Sequence, residues 1–195
     1  MFSDLTFDIK SGERVFLNGD NGCGKTSIIK AILAKVSGKE LSEINMCECG
    51  MSMVVSGLIV SYINQDTSFL KGSLKAYCKD NGFDESIFFS ILRQLDMNRE
   101  QFVKNMEDFS EGQKKKVLIA SSLITKAHIY IWDEPLNYID VFSRMQIEKL
   151  INNNNLTMLI VEHDVKFREK IATKIIDLDR NGNKNENRNE RKSEN

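Results

Sequence analysis

The hydrophobic positions of this chain fall into short apolar runs separated by segments with helical spacing. The clearest helical segment is 25–36, where apolar residues stand at positions 28, 29, 32, 33 and 36. Apolar strands that alternate with helices are typical of a parallel sheet, so the pattern predicts an α/β fold. Five short apolar runs are the predicted strands of this sheet: 13–18, 58–63, 128–132, 157–161 and 175–178.

Two longer segments are also predicted to be helical. In 113–125 the apolar positions are 117, 120, 123 and 124, which share one face of a helix. The pattern in 69–106 is similar, and its apolar face is predicted to hold Ile87, Phe88, Ile91, Leu92 and Leu95.

The pattern ends after Leu178, because residues 179–195 contain no apolar side chain and are mostly Asn, Glu, Arg and Lys. Such a segment cannot bury enough surface to offset the entropy lost on ordering. The sequence therefore predicts one ordered domain over 1–178 and a disordered polar tail over 179–195.

Composition and charge narrow the function classes. The 195 residues include 27 Lys and Arg against 28 Asp and Glu, a formal net charge of −1. That balance argues against a generally basic nucleic-acid binder and leaves a local basic patch open. No apolar stretch of about 18 residues occurs, so no transmembrane segment is predicted. A basic start followed by an apolar run is also missing, so no secretory signal is predicted.

The cysteines point to a reducing compartment. The four residues show no Cys-x-x-Cys pair and no accompanying histidine cluster, which argues against both a disulfide framework and a structural zinc site. The prediction is a cytoplasmic protein with reduced thiols at Cys23, Cys47, Cys49 and Cys78.

A phosphate-binding loop is predicted between the first strand and the first helix. Residues 19–26 read G-D-N-G-C-G-K-T, which fits G-x-x-x-x-G-K-[ST]. Glycines let backbone N–H groups surround phosphates, and the following helix adds its positive end. Lys25 is expected to reach the β- and γ-phosphates, and the Thr26 hydroxyl to bind Mg²⁺. The predicted nucleotide contacts here are Gly19, Asp20, Asn21, Gly22, Cys23, Gly24, Lys25, Thr26 and Ser27.

Two alternatives concern this loop. A chance glycine-rich turn would match the pattern too, but the preceding strand and the following helix favour the phosphate-binding interpretation. Cys23 has either a reactive thiol, because Lys25 and a helix N-terminus can lower a thiol pKa, or a small filling side chain whose backbone faces phosphate.

Two carboxylates follow the apolar run at 128–132. Asp133 and Glu134 would lie at the carboxyl end of a strand, where open α/β sheets bind ligands. Asp133 is predicted to hold Mg²⁺ and Glu134 to polarise an attacking water. An acidic turn closed by Pro135 is the alternative, and the phosphate-binding loop favours the metal site.

Two polar residues follow other predicted strands. Gln65 could bind the metal or the attacking water, and His163 could hydrogen-bond a γ-phosphate or a catalytic carboxylate. Taken alone, each residue is more readily explained as an ordinary polar side chain at a strand end.

These pieces, together with F-S-E-G-Q at 109–113, resemble the ABC ATPase family. The order is the family's: phosphate-binding loop, Gln65, signature 110–113, strand ending at Asp133 and Glu134, D-loop ending at Asp140, and switch His163. The resemblance covers about residues 1–178. It implies a P-loop NTPase (RecA-like) core with a small antiparallel β portion, a helical subdomain at about 67–112, and Mg²⁺-dependent ATP hydrolysis.

The signature implies a composite site. Ser110, Gly112 and Gln113 would form, with the start of their helix, an anion site for the γ-phosphate held by another domain. In the family, ATP lies between two domains arranged head to tail. The expected partner is therefore a second ABC ATPase domain, either another copy of this chain or a separate chain.

A narrower resemblance is to the ABC-F group, soluble proteins that act on the ribosome. E-P-L-N-Y-I-D at 134–140 and F-S-E-G-Q-K-K-K-V at 109–117 look like the second ATPase domain of its antibiotic-resistance type, and Glu111 and Tyr138 carry this distinction. It implies the ribosome or its RNA as a partner. The alternatives are the ATPase subunit of a membrane transporter, and an inactive fragment that binds ATP weakly.

Departures from the family pattern lead to three expectations. One ATPase domain is present where ABC-F proteins carry two, so ribosome action would require a partner. The adenine-stacking aromatic would fall upstream of Met1, and Phe2 either replaces it or packs in the core. Glu111 stands where most members have Gly, so its charge should weaken phosphate binding unless the side chain points away. The lysines at 114–116 either contact ribosomal RNA or form a solvated helix face.

Overall fold

A six-stranded sheet forms the centre of the computed structural model, which describes residues 5–37, 57–178 and 185–187. Its strand order is β2-β3-β4-β1-β5-β6, and β1 to β5 are parallel. The α/β class predicted from the sequence is therefore confirmed. The strands are β1 Arg14–Asn18, β2 Val60–Ile63, β3 Ile129–Asp133, β4 Met158–Val161, β5 Lys174–Asp177 and β6 Asn185–Asn187.

Seven helices occur in the described ranges, and none of them is long and apolar enough to cross a membrane. A 3₁₀ turn at Met106–Asp108 precedes the fifth. The helices are α1 Lys25–Val36, α2 Leu74–Asp80, α3 Glu85–Gln94, α4 Arg99–Phe102, α5 Glu111–Ile124, α6 Val141–Asn153 and α7 Val165–Ile171.

The core has a layer on each face of the sheet, because successive strand residues point to opposite faces. On one face, Val15 and Leu17 pack with Ile29 of α1. On the other, Phe16 and Trp132 pack in a cluster that also holds the buried apolar residues of α5, α6 and α7. The central strands are therefore buried on both sides, as their continuous apolar runs predicted.

The helices between β2 and α5 belong to the same core. Leu74 of α2 and Phe88 of α3 lie in one cluster with Val117 of α5 and Trp132 of β3. One residue of the predicted apolar face is an exception: Ile87 is 54% exposed, since it lies roughly 100° around the helix from Phe88. The division into a core and a helical subdomain at about 67–112 stays a prediction.

The strand β6 falls inside the predicted polar tail. It pairs antiparallel with β5, Ile175 lying opposite Glu186. Main-chain pairing with an edge strand does not require apolar side chains, and disorder over 179–195 stays a prediction. The rest of the tail lies outside the described residues, as do Phe2, Cys47 and Cys49.

Candidate active site

The predicted phosphate-binding, metal-binding and base residues lie at one edge of the sheet because they follow parallel strands. The phosphate-binding loop follows β1, Gln65 follows β2, Glu134 follows β3 and His163 follows β4. Since the carboxyl ends of parallel strands meet at one edge, residues from four separate parts of the chain share that edge.

The loop at 19–24 leads directly into α1, which begins at Lys25 as predicted. Its N-cap, Gly24, has a φ of 103°, a left-handed conformation that glycine adopts without strain. The other six helices have side-chain caps, whereas no side chain caps α1 in the described part of the chain. Its first N–H groups are therefore available to an anion.

The Lys25 side chain is folded into the loop and is only 7% exposed. Its Nζ donates to the main-chain oxygens of Gly19, at 2.6 Å, and of Asp20, at 2.9 Å. These hydrogen bonds place the ammonium inside the cradle, with the exposed Asp20, Asn21, Gly22 and Ser27 around it.

Cys23 packs within the same loop. Its Sγ lies 4.0 Å from Lys25 Nζ, and a Cβ added at Gly19 would come within 2.8 Å of it. The thiol thus occupies space that a side chain at position 19 would need, which agrees with the filling role. Its reactivity stays a prediction.

Thr26 and Asp133 join the loop to the end of β3. The Thr26 hydroxyl donates to Asp133 Oδ2 over 3.1 Å. Within the described residues, the other carboxylate oxygen, Asp133 Oδ1, is buried without a hydrogen-bond partner. Burial raises the pKa of Asp133, and the neighbouring charge of Glu134 acts in the same direction. A hydroxyl, a carboxylate and an unsatisfied oxygen fit the hard oxygen donors that Mg²⁺ prefers.

Glu134 is held between two polar side chains. Asn137 Nδ2 donates to Glu134 Oε2 over 3.0 Å, and His163 Nε2 lies 3.6 Å from Glu134 Oε1. The Glu134 backbone is left-handed, with a φ of 50°, while its N–H donates to the Val161 oxygen of β4. The carboxylate is therefore oriented at the sheet edge, as a general base requires.

Glu162, which precedes His163 and is 7% exposed, was not among the predicted site residues. Its Oε1 accepts from the N–H groups of His163 and Asp164, and its Oε2 accepts from the N–H of Leu136. One carboxylate thus ties the loop after β4 to the loop after β3. The signal available beforehand was an acidic residue directly after an apolar strand.

Gln65 contacts its surroundings through its backbone. Its side chain is exposed, while its main-chain oxygen accepts from Lys115 Nζ at 3.3 Å. The proposed metal contact of the Gln65 side chain therefore stays a prediction.

The signature residues form the capped start of α5. The Ser110 Oγ accepts from the Gln113 N–H over 3.3 Å, and the Gln113 side chain accepts from the Ser110 N–H over 3.0 Å. This capping box fixes the first turn of the helix. The Glu111 side chain is held at the side of the helix, because its carboxylate accepts from the Thr67 hydroxyl and pairs with Lys114.

Both sequence interpretations of the three lysines are wrong for two of them. Lys115 is 3% exposed and donates to the Asn64 oxygen over 2.9 Å. Lys116 is 7% exposed and pairs with Asp140 Oδ2 at 2.8 Å. Buried cations with internal partners neither contact RNA nor form a solvated face, and the run of lysines alone could not reveal these distant partners.

Gly112 allows the signature helix to approach the D-loop. A Cβ added there would lie 2.5 Å from the main-chain oxygen of Tyr138, closer than real Cβ contacts. Tyr138 is itself left-handed, with a φ of 66°, and its side chain is 77% exposed. Close packing of two backbones therefore explains glycine at position 112.

Replacing Gly112 by Ala is expected to lower stability by about 1–3 kcal/mol, since the added methyl overlaps a backbone atom. Chemical denaturation measures the change. Its sign is diagnostic, because Gly to Ala within a helix normally stabilises by roughly 0.5–1 kcal/mol. A stability increase would show that the D-loop does not lie against Gly112.

Known proteins match most of this chain. A family model described as ABC transporter matches residues 2–137. The ribosome protection protein VmlR of Bacillus subtilis (strain 168) is 27% identical over 188 residues, which cover 93% of this chain and 32% of that protein. The solved complex of an archaeal ribosome recycling factor, aABCE1, with ribosomal stalk protein aP1 matches at 27% identity. That match has a TM-score of 0.65 and covers 87% of this chain and 32% of the solved chain.

A further solved structure agrees in fold. The ATP binding subunit of an ABC transporter has a TM-score of 0.73 at 20% identity, and the match covers 96% of this chain and 83% of that one. This chain spans about a third of the length of the first curated relatives that it matches.

Proposed function

This chain belongs to the ABC transporter family, and on that premise we propose that it binds ATP with Mg²⁺ and hydrolyses the terminal phosphate as one of two paired domains. The observation that carries the proposal is the junction of Thr26 and Asp133. There, within the described residues, a helix start without a side-chain cap, a buried lysine and a carboxylate oxygen without a hydrogen-bond partner lie at one sheet edge.

Each of the site residues has its own role in phosphoryl transfer. The N–H groups of the loop and Lys25 bind the phosphates, while Thr26 and Asp133 would hold Mg²⁺. Bound Mg²⁺ neutralises charge that develops on the phosphate oxygens. Glu134 orients a water and accepts its proton, and Asn137 keeps that carboxylate in place. His163 hydrogen-bonds the γ-phosphate or Glu134 from the end of β4.

The second half of each site comes from a partner domain. The capped start of α5, with Ser110 and Gln113, offers N–H groups to the γ-phosphate of the nucleotide that the partner holds. This arrangement is taken from the family, and Gln65 as a metal or water ligand is part of the same proposal.

The wider role that we propose is action on the ribosome in the cytoplasm. It is supported by the two relatives whose names refer to the ribosome and by the narrower resemblance at Glu111 and Tyr138. A partner supplying the second ATPase domain completes the active unit.

ATP turnover per chain should rise with protein concentration, because two domains form each site. The measurement is phosphate release over a range of chain concentrations, with oligomeric state followed by sedimentation. Turnover that is independent of concentration would contradict pairing. The absence of turnover at every concentration would support the alternative of a fragment that binds nucleotide and does not hydrolyse it.

The same preparation tests the wider role. Co-sedimentation with ribosomes in the presence of ATP is expected, and the Lys25→Ala variant serves as the control in which nucleotide binding is weakened. Co-purification with a membrane protein instead would favour a transporter subunit.

A further inference from the structure

Two side chains of α5 form hydrogen bonds with the segment 64–67, which follows β2 and contains Gln65. Lys115 Nζ donates to the main-chain oxygens of Asn64, at 2.9 Å, and of Gln65, at 3.3 Å. The Thr67 hydroxyl donates to Glu111 Oε2 over 2.8 Å. Positions 111 and 115 lie one above the other on the helix surface, so both contacts come from one helix face. We refer to these contacts as the clasp.

Burial strengthens the Lys115 half of the clasp. Lys115 is 3% exposed and Thr67 is 5% exposed, so water competes little at these two side chains, whereas the Glu111 side chain is 49% exposed. A buried ammonium without partners would be costly, and the two main-chain oxygens provide those partners. The Glu111 carboxylate has a second tie, a 3.0 Å ion pair with Lys114 that restricts its rotation.

The clasp also lies beside the reacting groups. Burial lowers the pKa of Lys115, while the carboxylates of Asp133, Glu111, Glu134 and Asp66 act to raise it. The Lys115 charge therefore interacts with Asp133, the proposed metal ligand, and with Glu134, the proposed base. It is joined at the same time to the backbone of Gln65.

We propose that Glu111 and Lys115 are positioning residues that join Gln65 to the start of α5, so that the chain's two half-sites move as one unit. The inference rests on the proposed function, in which Gln65 serves the chain's own nucleotide and Ser110 serves the partner's. A nucleotide that moves the Ser110 end of α5 therefore also moves Gln65. Glu111, which stands where most family members have Gly, supplies half of this connection.

The decisive variant is Thr67→Val, which removes one hydroxyl and nearly preserves the shape of the side chain. We expect kcat to fall by about tenfold, the effect of losing a hydrogen bond to a charged group, while ATP affinity stays within about twofold. Glu111→Gly should act similarly. The double variant should be no worse than either single one, because both remove the same contact.

The matched control is Thr157→Val, at the opposite edge of the sheet. The Thr157 hydroxyl also makes a long-range hydrogen bond, accepting from the Gly12 N–H over 2.9 Å. This variant should lose comparable stability and keep its kcat. Rescue gives a second control: Lys115→Arg keeps a charged donor and should retain more turnover than Lys115→Met, with folding checked by thermal melting.

Hydrogen exchange provides a readout that does not require activity. In Thr67→Val, the amides of 64–68 and of 110–114 should both exchange faster, although only one segment is mutated. Faster exchange in 64–68 alone, additive losses in the double variant, or wild-type kcat in folded Thr67→Val would each overturn the clasp. Absence of both ATP binding and ATP turnover in the unmodified chain would instead refute the proposed function, and the exchange experiment would still decide the clasp.

Discussion

Replacing Glu134 by Gln is expected to lower ATP turnover by about 10²- to 10⁴-fold, the usual contribution of a positioned general base. The amide keeps the size of the side chain and can still accept a hydrogen bond from Asn137 Nδ2. It cannot take a proton from water. ATP binding should persist, because the loop at 19–24 and Lys25 are untouched. The variant should therefore accumulate an ATP-bound pair of domains.

Two measurements check this result: phosphate release in single-turnover conditions, and sedimentation with and without ATP. Glu148→Gln is a suitable control, since Glu148 is only 8% exposed but lies on α6, paired with Lys170 at 2.7 Å. Its turnover should match that of the unmodified chain. Unchanged turnover in folded Glu134→Gln would refute the assignment of Glu134 as the base.

The elements predicted best were those with a strong local signal. The helix at Lys25–Val36 has the predicted bounds, because a glycine-rich loop fixes its start and its apolar residues face the sheet. The position of Asp133 and Glu134 at a carboxyl end was predicted because an apolar strand directly precedes them. In each case, neighbours in the sequence contain the information.

The helices α6 and α7 were not predicted, because their apolar residues do not follow a clear helical spacing. In α6, Val141 and Phe142 are 71% and 53% exposed, whereas Ser143 is fully buried. The Ser143 hydroxyl donates to the Leu95 oxygen over 2.9 Å and to the carboxylate of Asp140, the N-cap of α6. A buried serine among exposed apolar residues reverses the expected pattern, and only the distant partner explains it.

The same limit applies inside the site. Lys116 and Asp140 are 24 positions apart, and Lys115 and Asn64 are further apart still. Burial alone would raise the pKa of Asp140, but hydrogen bonds from Lys116 and Ser143 lower it below its ordinary value. Such pairs form only when β2, α5 and the D-loop pack together, so a single sequence offers no local signal for them.

Replacing Lys25 by Ala is expected to reduce ATP affinity by about tenfold to a hundredfold, since hydrogen bonds to charged groups contribute roughly 1.5–3 kcal/mol. The loss has two physical sources. The ammonium that would contact the phosphates is removed, and so are its bonds to the Gly19 and Asp20 oxygens, which hold the loop in shape. Both changes affect binding before any chemistry.

Trp132, the single tryptophan of the chain, directly precedes Asp133 and offers a fluorescence signal for titration with Mg²⁺ and ATP. Lys30→Ala is the matched control, because Lys30 is an exposed lysine of the same helix α1. It should bind ATP as the unmodified chain does. Lys25→Arg separates the two sources, since it keeps the charge but changes the fit within the loop. If folded Lys25→Ala bound ATP with unchanged affinity, the loop at 19–24 would not be the phosphate site, and the roles assigned to Thr26 and Asp133 would fail with it.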